Sequence, residues 1–293
     1  MNDLYRQKIG DLLKNEKKSK LQTLLVMAIL DAVYIALCYL FLQGYSTGIG
    51  YLAIFGFIFL NVALLGFLGK TQMKIRKIAV EGIGLEETGF PWKYSTASQI
   101  ASAKAGKTKS EIFPFFRSSL CNYVISGKYQ STEITAANWS IYKSRGRHRG
   151  SYPGYDFKGH SVLLENINVS EEIVVTNTEI EDFYKTPFGF VETNREINGK
   201  IVRIYTKADI KKLDEVEKMV VILEQILLNV KENGSIVKSG NGSIYIAIND
   251  DTSFLSNVFL VNKETNPEEL VNEADSAVKY CLSLAKLVVA SFK

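Results

Sequence analysis

Two long apolar runs near the N-terminus, residues 21–42 and 49–69, restrict this chain more than any other feature. The first carries one charge, Asp31, and the second carries none. About 20 predominantly apolar residues in helical form cross a hydrocarbon core, and in that solvent only a helix or a closed barrel satisfies its own backbone. Each run reaches that length, and residues 43–48 between them suffice only for a reversal. The expectation is a transmembrane helical hairpin over residues 21–69.

Basic residues set its orientation. Arg6, Lys8, Lys14, Lys17, Lys18 and Lys20 precede the first run, Lys70, Lys74, Arg76 and Lys77 follow the second, and the turn has none. Such flanks stay on the cytoplasmic side. The expected location is therefore the plasma membrane, multi-pass, with both termini and the C-terminal domain cytoplasmic. A secretory signal would have a shorter apolar core, and no second spanning run would follow it. A lipoprotein site at Cys38 fails on the bulky Leu37 before it. Cys38, Cys121 and Cys281 are scattered, which suits a reducing compartment and offers no disulfide framework.

The chain divides into a basic segment 1–20, the hairpin 21–69, a connector 70–84 and one cytosolic domain 85–293, with no Pro-rich linker and no internal repeat. The 46% hydrophobic fraction averages the hairpin with an ordinary polar domain, and much of the +4 net charge comes from the basic flanks. That balance gives no reason to invoke nucleic acid.

Within the segments, Leu4, Ile9, Leu12 and Leu13 have helical spacing and could lie along headgroups, or belong to a frayed basic tail. Ala28, Ala32 and Ala36 form a small-residue row that allows close helix approach. Asp31 beside this row matches Asn61 of the second run in depth. A mid-membrane carboxyl is a functional hypothesis by default. Its structural reading is a protonated Asp31 hydrogen-bonded to Asn61 or to a neighbouring protomer. The competing proton or ion pathway lacks a pore, because two helices enclose none. Ala105-Gly106-Lys107-Thr108 resembles the tail of a phosphate-binding loop, but Ala101 stands where the first glycine belongs and no apolar strand precedes it.

From Tyr123 the texture is β. Residues 123–125, 128–135, 139–143, 161–165 and 172–176 read as short strands. Residues 188–196 and 200–205 flank Asn198-Gly199, the strongest hairpin signal in the chain. Thr206 and Asp209 read as a capping pair opening a helix with Ile210, Leu213, Val216, Val220, Leu223 and Leu227 on its apolar face. A second hairpin turns at Gly240-Asn241-Gly242. Asn266-Pro267-Glu268-Glu269 then starts a helix with Leu270, Ala274, Val278, Cys281, Ala285 and Val288 inward. The expected fold class is α+β: a transmembrane hairpin followed by a mixed α+β domain with antiparallel hairpins and two long helices.

Three patches carry a resemblance: Ser126-Gly127-Lys128-Tyr129, Phe157-Lys158-Gly159, and Asn241-Gly242-Ser243-Ile244-Tyr245-Ile246-Ala247-Ile248 followed by an acidic turn and Phe254-Leu255. On these the chain resembles a bacterial family of inner-membrane proteins with an N-terminal two-helix hairpin and a C-terminal cytosolic domain of unknown function. It departs from that pattern at residues 204–219, where Thr206 to Asp209 replaces a Leu-Thr-Pro helix entry. The patches are strand and turn chemistry, so the resemblance implies topology and no catalytic residue.

Catalytic signals are sparse. His148 and His160 have no partner at metal spacing, no serine sits in a nucleophile elbow, and neither a metal nor a cofactor site can be drawn. Asp250-Asp251 reads as turn chemistry. One charged patch stands out: Lys143, Arg145, Arg147, His148 and Arg149 on a glycine-hinged loop. It could grip phosphate oxygens of anionic headgroups, of nucleic acid or of a nucleotide, or be a solvated hairpin tip. The leading function is a membrane-anchored, non-enzymatic binding, adaptor or sensor domain for a protein or a small anionic ligand. Its expected contacts are the bilayer, anionic headgroups, and a protein partner or second copy through the hairpin. The alternatives are an enzyme acting at the membrane surface and a nucleotide-sensing membrane effector.

Overall fold

The structure is a computed structural model that describes residues 3–42, 72–96, 111–112, 118–142, 155–177, 190–197, 199–207, 214–229, 234–249 and 266–293. It divides into two compact units, Met1–Ala79 with Asn257–Val271, and Val80–Ser256 with Asn272–Lys293.

The first unit contains α1 (Asp3–Leu42), a helix of 40 residues. Lys8 lies over the ring of Tyr5, 4.7 Å from its centroid, one turn into the helix. In the distal half Leu25, Val26, Ile29, Val33 and Tyr39 are exposed. Here the structure corrects the sequence reading. Among the described residues no helix is long and apolar enough to cross a membrane, which overturns the transmembrane hairpin and the multi-pass plasma-membrane location drawn from it. The backbone shows why the expectation was too simple. The run 21–42 is not an element of its own but the continuation of a helix whose first half is charged. Gln22 and Ala32 within it are exposed, and the second arm, 49–69, lies outside the described residues.

The second unit is built on one sheet of nine strands, again a departure from separate hairpins with two helices. The strands are β1 (Lys93–Thr96), β2 (Ser118–Tyr129), β3 (Thr132–Tyr142), β4 (Tyr155–Glu165), β5 (Ile173–Thr176), β6 (Val191–Ile197), β7 (Lys200–Thr206), β8 (Ser235–Gly240) and β9 (Ser243–Ile248). Their order is β1-β2-β3-β4-β9-β8-β5-β7-β6, and every neighbouring pair is antiparallel. The helices of this unit are α3 (Asp214–Asn229) and the greater parts of α2 (72–88) and α4 (Pro267–Ser291), whose residues up to Ala79 and Val271 fall in the first unit.

Turn chemistry sets the hairpins. Asn241 and Gly242 have φ of 52° and 70°, so the β8–β9 turn uses two residues in the left-handed region, the pair that matches the twist of the strands. Gly240 pairs with Ser243 across it. Gly199, φ 75°, serves the β6–β7 turn. The β2–β3 turn has no such signature: Gln130 takes φ 54°. The sequence there reads as one strand, 128–135, whereas the chain reverses within it.

Alternation along the strands separates two faces. On the helical face lie Ile125, Val162, Ile204, Val237 and Ile246, all buried. Helix α3 packs on β8 and β5. Val216, Met219, Val220, Leu223 and Ile226 form its buried stripe. Thr206 is not its cap: it is a fully buried strand residue paired with both Ile173 and Val191. Helix α4 starts at Asn266, whose side-chain oxygen accepts from the Glu268 N–H at 3.1 Å, and buries Ala274, Val278, Cys281, Ala285 and Val288.

Helix α2 meets the sheet through Trp92, which is 1% exposed. Its ring fills the space above Gly84 of α2 and Gly127 of β2, and a Cβ on either glycine would fall well inside van der Waals contact with the indole. Its Nε1 donates to Thr88 Oγ1 at 3.3 Å, and that hydroxyl donates to the Gly84 carbonyl at 2.7 Å. Glycine at 84 would normally cost helix stability; here the close approach of the ring requires it. Gly84→Ala and Gly127→Ala are each expected to destabilise the fold by about 1–3 kcal/mol, the scale of overpacking. Chemical denaturation monitored by circular dichroism reads this as a lower midpoint with an unchanged slope.

Candidate functional site

The face of the sheet opposite these helices carries an apolar cluster interrupted by one lysine. Trp139, Phe157, Leu163, Val174, Tyr205, Ile236, Tyr245 and Ala247 are buried there together with Ile112, and Phe190 packs against them. Strand alternation puts Lys238 on the same face as Ile236, directly between Tyr245 of β9 and Val174 of β5. A central strand presents both faces to packed layers, so the Lys238 side chain is only 9% exposed.

A buried ammonium needs a compensating charge and hydrogen-bond acceptors. Lys238 Nζ donates to Glu111 Oε2 at 2.7 Å and to the Glu111 carbonyl at 3.4 Å, and Glu172 Oε1 lies 3.5 Å away. The other oxygen of Glu172 is 3.5 Å from Lys207 Nζ, which itself lies 5.0 Å from the Phe190 ring centroid. The site is therefore a rim of two ammoniums and two carboxylates around an aromatic cluster.

Other polar side chains on the described sheet serve the fold. Trp139 Nε1 donates to Ser161 Oγ at 2.8 Å. Asn138 Nδ2 donates to the Gly159 carbonyl at 3.1 Å. His160 Nε2 lies 3.2 Å from the Tyr280 hydroxyl, with the two rings edge to face. Burial pushes the thiols of Cys121 and Cys281 up to about 12, so both are protonated at neutral pH and neither is a nucleophile.

The cluster of Lys238, Glu111, Glu172 and Lys207 was not named from the sequence. The proposed anion loop, Lys143, Arg145, Arg147, His148 and Arg149, lies outside the described residues, as does Asn61; the backbone of Asp31 belongs to α1 but its side chain is outside them too. Lys238 was missed because Glu111 is 127 positions away, which no motif spacing covers. The available signal was its phase: within β8 it falls in the inward register shared with Ile236.

No family model and no curated protein matches the chain. Among solved structures, the crystal structure of the mycobacterial trehalose monomycolate transport factor A, TtfA, aligns at 10% identity over 75% of this chain and 96% of that chain, with a TM-score of 0.30. A likeness of that size carries neither fold nor function across.

At the far side of the sheet, Arg195 of β6 forks onto Glu217 of α3, at 2.8 and 2.6 Å. The guanidinium hydrogen bond holds the Glu217 carboxyl below its usual 4.5. A depressed carboxylate stabilises above its unfolded pKa, and that contribution is lost as pH falls through the folded value. Both groups are substantially exposed, so the pair is worth less than about 1 kcal/mol. Glu217→Gln is expected to cost that much at pH 7 and to remove the corresponding part of the acid sensitivity below pH 4.5, seen in urea unfolding repeated at pH 7, 4.5 and 3.

Proposed function

We propose that the second unit is a non-enzymatic binding module for an anionic ligand. The observation that supports it is Lys238, a cation placed in the middle strands of an apolar face and held by carboxylates from outside its own strand. Replacing a buried ion pair by well-packed apolar residues is often neutral or stabilising, so packing alone gives little reason for a lysine between Val174 and Tyr245. An anion-recognising site does: the ammonium is a compact charge that can exchange a protein carboxylate for an external one. The role is that of a sensor or adaptor, whose bound state differs from its free state in what neutralises Lys238.

The test is a thermal-shift series on the full-length protein with inorganic phosphate, acetate and octanoate at constant ionic strength. Binding to the native state raises the melting temperature in a saturable way, by about 2.7 kcal/mol of added stability at a hundred times Kd. Lys238→Met, which retains most of the side chain's apolar volume, is expected to abolish the shift. A parent protein indifferent to all three anions, or a variant that responds as the parent does, would overturn the reading.

A further inference from the structure

We infer that Glu111 and Ile112 together occupy the binding site as an internal mimic of its ligand, and that the ligand is an amphipathic anion, a single negative head on an apolar chain. The inference rests on the anion-binding reading above and deepens it. Two consecutive residues make the argument. Glu111 places its carboxylate on Lys238 at 2.7 Å, while Ile112 is 1% exposed inside the aromatic cluster. An anionic head and an apolar body thus enter the same face side by side, contributed by a segment that is not part of the sheet.

Charge balance points the same way. Glu172 is shared, 3.5 Å from Lys238 and 3.5 Å from Lys207, so among the described residues two ammoniums would face one carboxylate without Glu111. The Glu111 side chain is 39% exposed while that of Lys238 is 9% exposed. The carboxylate therefore reaches in from the solvent side, where an external anion can replace it. A monoanion restores a second carboxylate beside the buried Lys238; a cation or a neutral amphiphile leaves that ammonium to the shared Glu172 alone. The apolar part has its place too. Removing Ile112 takes one buried apolar side chain out of the cluster that holds Trp139, Phe157, Tyr205 and Tyr245, and an alkyl chain filling its place regains about 25 cal/mol for each Å² taken from water.

An internal mimic competes with the ligand, so apparent affinity falls by the fraction of molecules in which the mimic is displaced. Weakening the mimic must therefore strengthen binding, which an ordinary structural contact would not do. The experiment is titration calorimetry on the full-length protein with dodecanoate below its micelle concentration, alongside butanoate, dodecanol and dodecyltrimethylammonium. Dodecanoate is expected to bind the parent, and to bind Glu111→Gln at least tenfold more tightly. Ile112→Ala provides a second route. It is expected to melt lower than the parent without ligand and to show the larger rise with dodecanoate. In Lys238→Met, shown to be folded by circular dichroism, the preference for dodecanoate over dodecanol is expected to fall at least tenfold. Equal or weaker dodecanoate binding in both Glu111→Gln and Ile112→Ala would overturn the mimicry. Butanoate binding as tightly as dodecanoate would overturn the amphipathic ligand and leave the anion-binding function standing. Failure of every anion to bind would remove both.

Discussion

The second unit is a single sheet because β4 pairs with β9. Strands β1 to β4 follow one another in space as they do in sequence, and β5 to β9 form their own group; the seam is the ladder from His160 opposite Ile248 to Glu165 opposite Ser243. Its central pairs, Val162 with Ile246 and Leu163 with Tyr245, are buried on both faces. A one-residue slip would exchange the two faces of every residue in the ladder. It would move Tyr245, and with it Lys238 paired to it in the same hairpin, away from Leu163. The rim of charges, the aromatic cluster and the packing of α3 on β8 all presuppose this register. Pairing across so long a stretch of chain delays loop closure until late contacts compensate it, so assembly of this seam is the slow kind of β formation.

Local chemistry was legible and long-range chemistry was not. The turn at Asn241-Gly242 could be read because few residues accept positive φ, and the start of α4 because Asn266 and Pro267 each fit one helix position. The inward stripe of α4, from Leu270 to Val288, follows from a 3.6-residue period and is buried throughout. The errors have equally physical causes. Gln130 adopts φ 54° without being a turn former, so the reversal between β2 and β3 left no trace in composition. Thr206 had the chemistry of a cap, but two flanking strands claim its backbone. The apolar count over 21–42 measured length and polarity in a stretch that the structure makes part of one longer helix, Asp3–Leu42. The charged cluster at Lys238 escaped for a different reason: its members, Glu111, Glu172, Lys207 and Lys238, are assembled by the sheet order and share no spacing in sequence.

Two buried features of the same sheet can be contrasted by what stability alone would demand. Trp92 sits over glycines at 84 and 127, where any larger residue would crowd the ring, and the result is a close helix–sheet contact. Packing explains that arrangement completely. Lys238 is the opposite case. Its neighbours across the strands are Val174 and Tyr245, so an apolar residue would fit the row without desolvating a charge. Keeping the lysine obliges the chain to supply Glu111 and part of Glu172, and to order their side chains. Buried ion pairs are weak evidence of stabilisation and break expensively when one partner is removed. A fold selected for packing alone gains nothing from that liability, and the proposed anion-binding role would give it a use. In the proposed exchange Glu111 would leave only as another negative charge arrives, because Lys238 would otherwise keep only the shared carboxylate of Glu172, 3.5 Å away, and that cost would make the exchange selective.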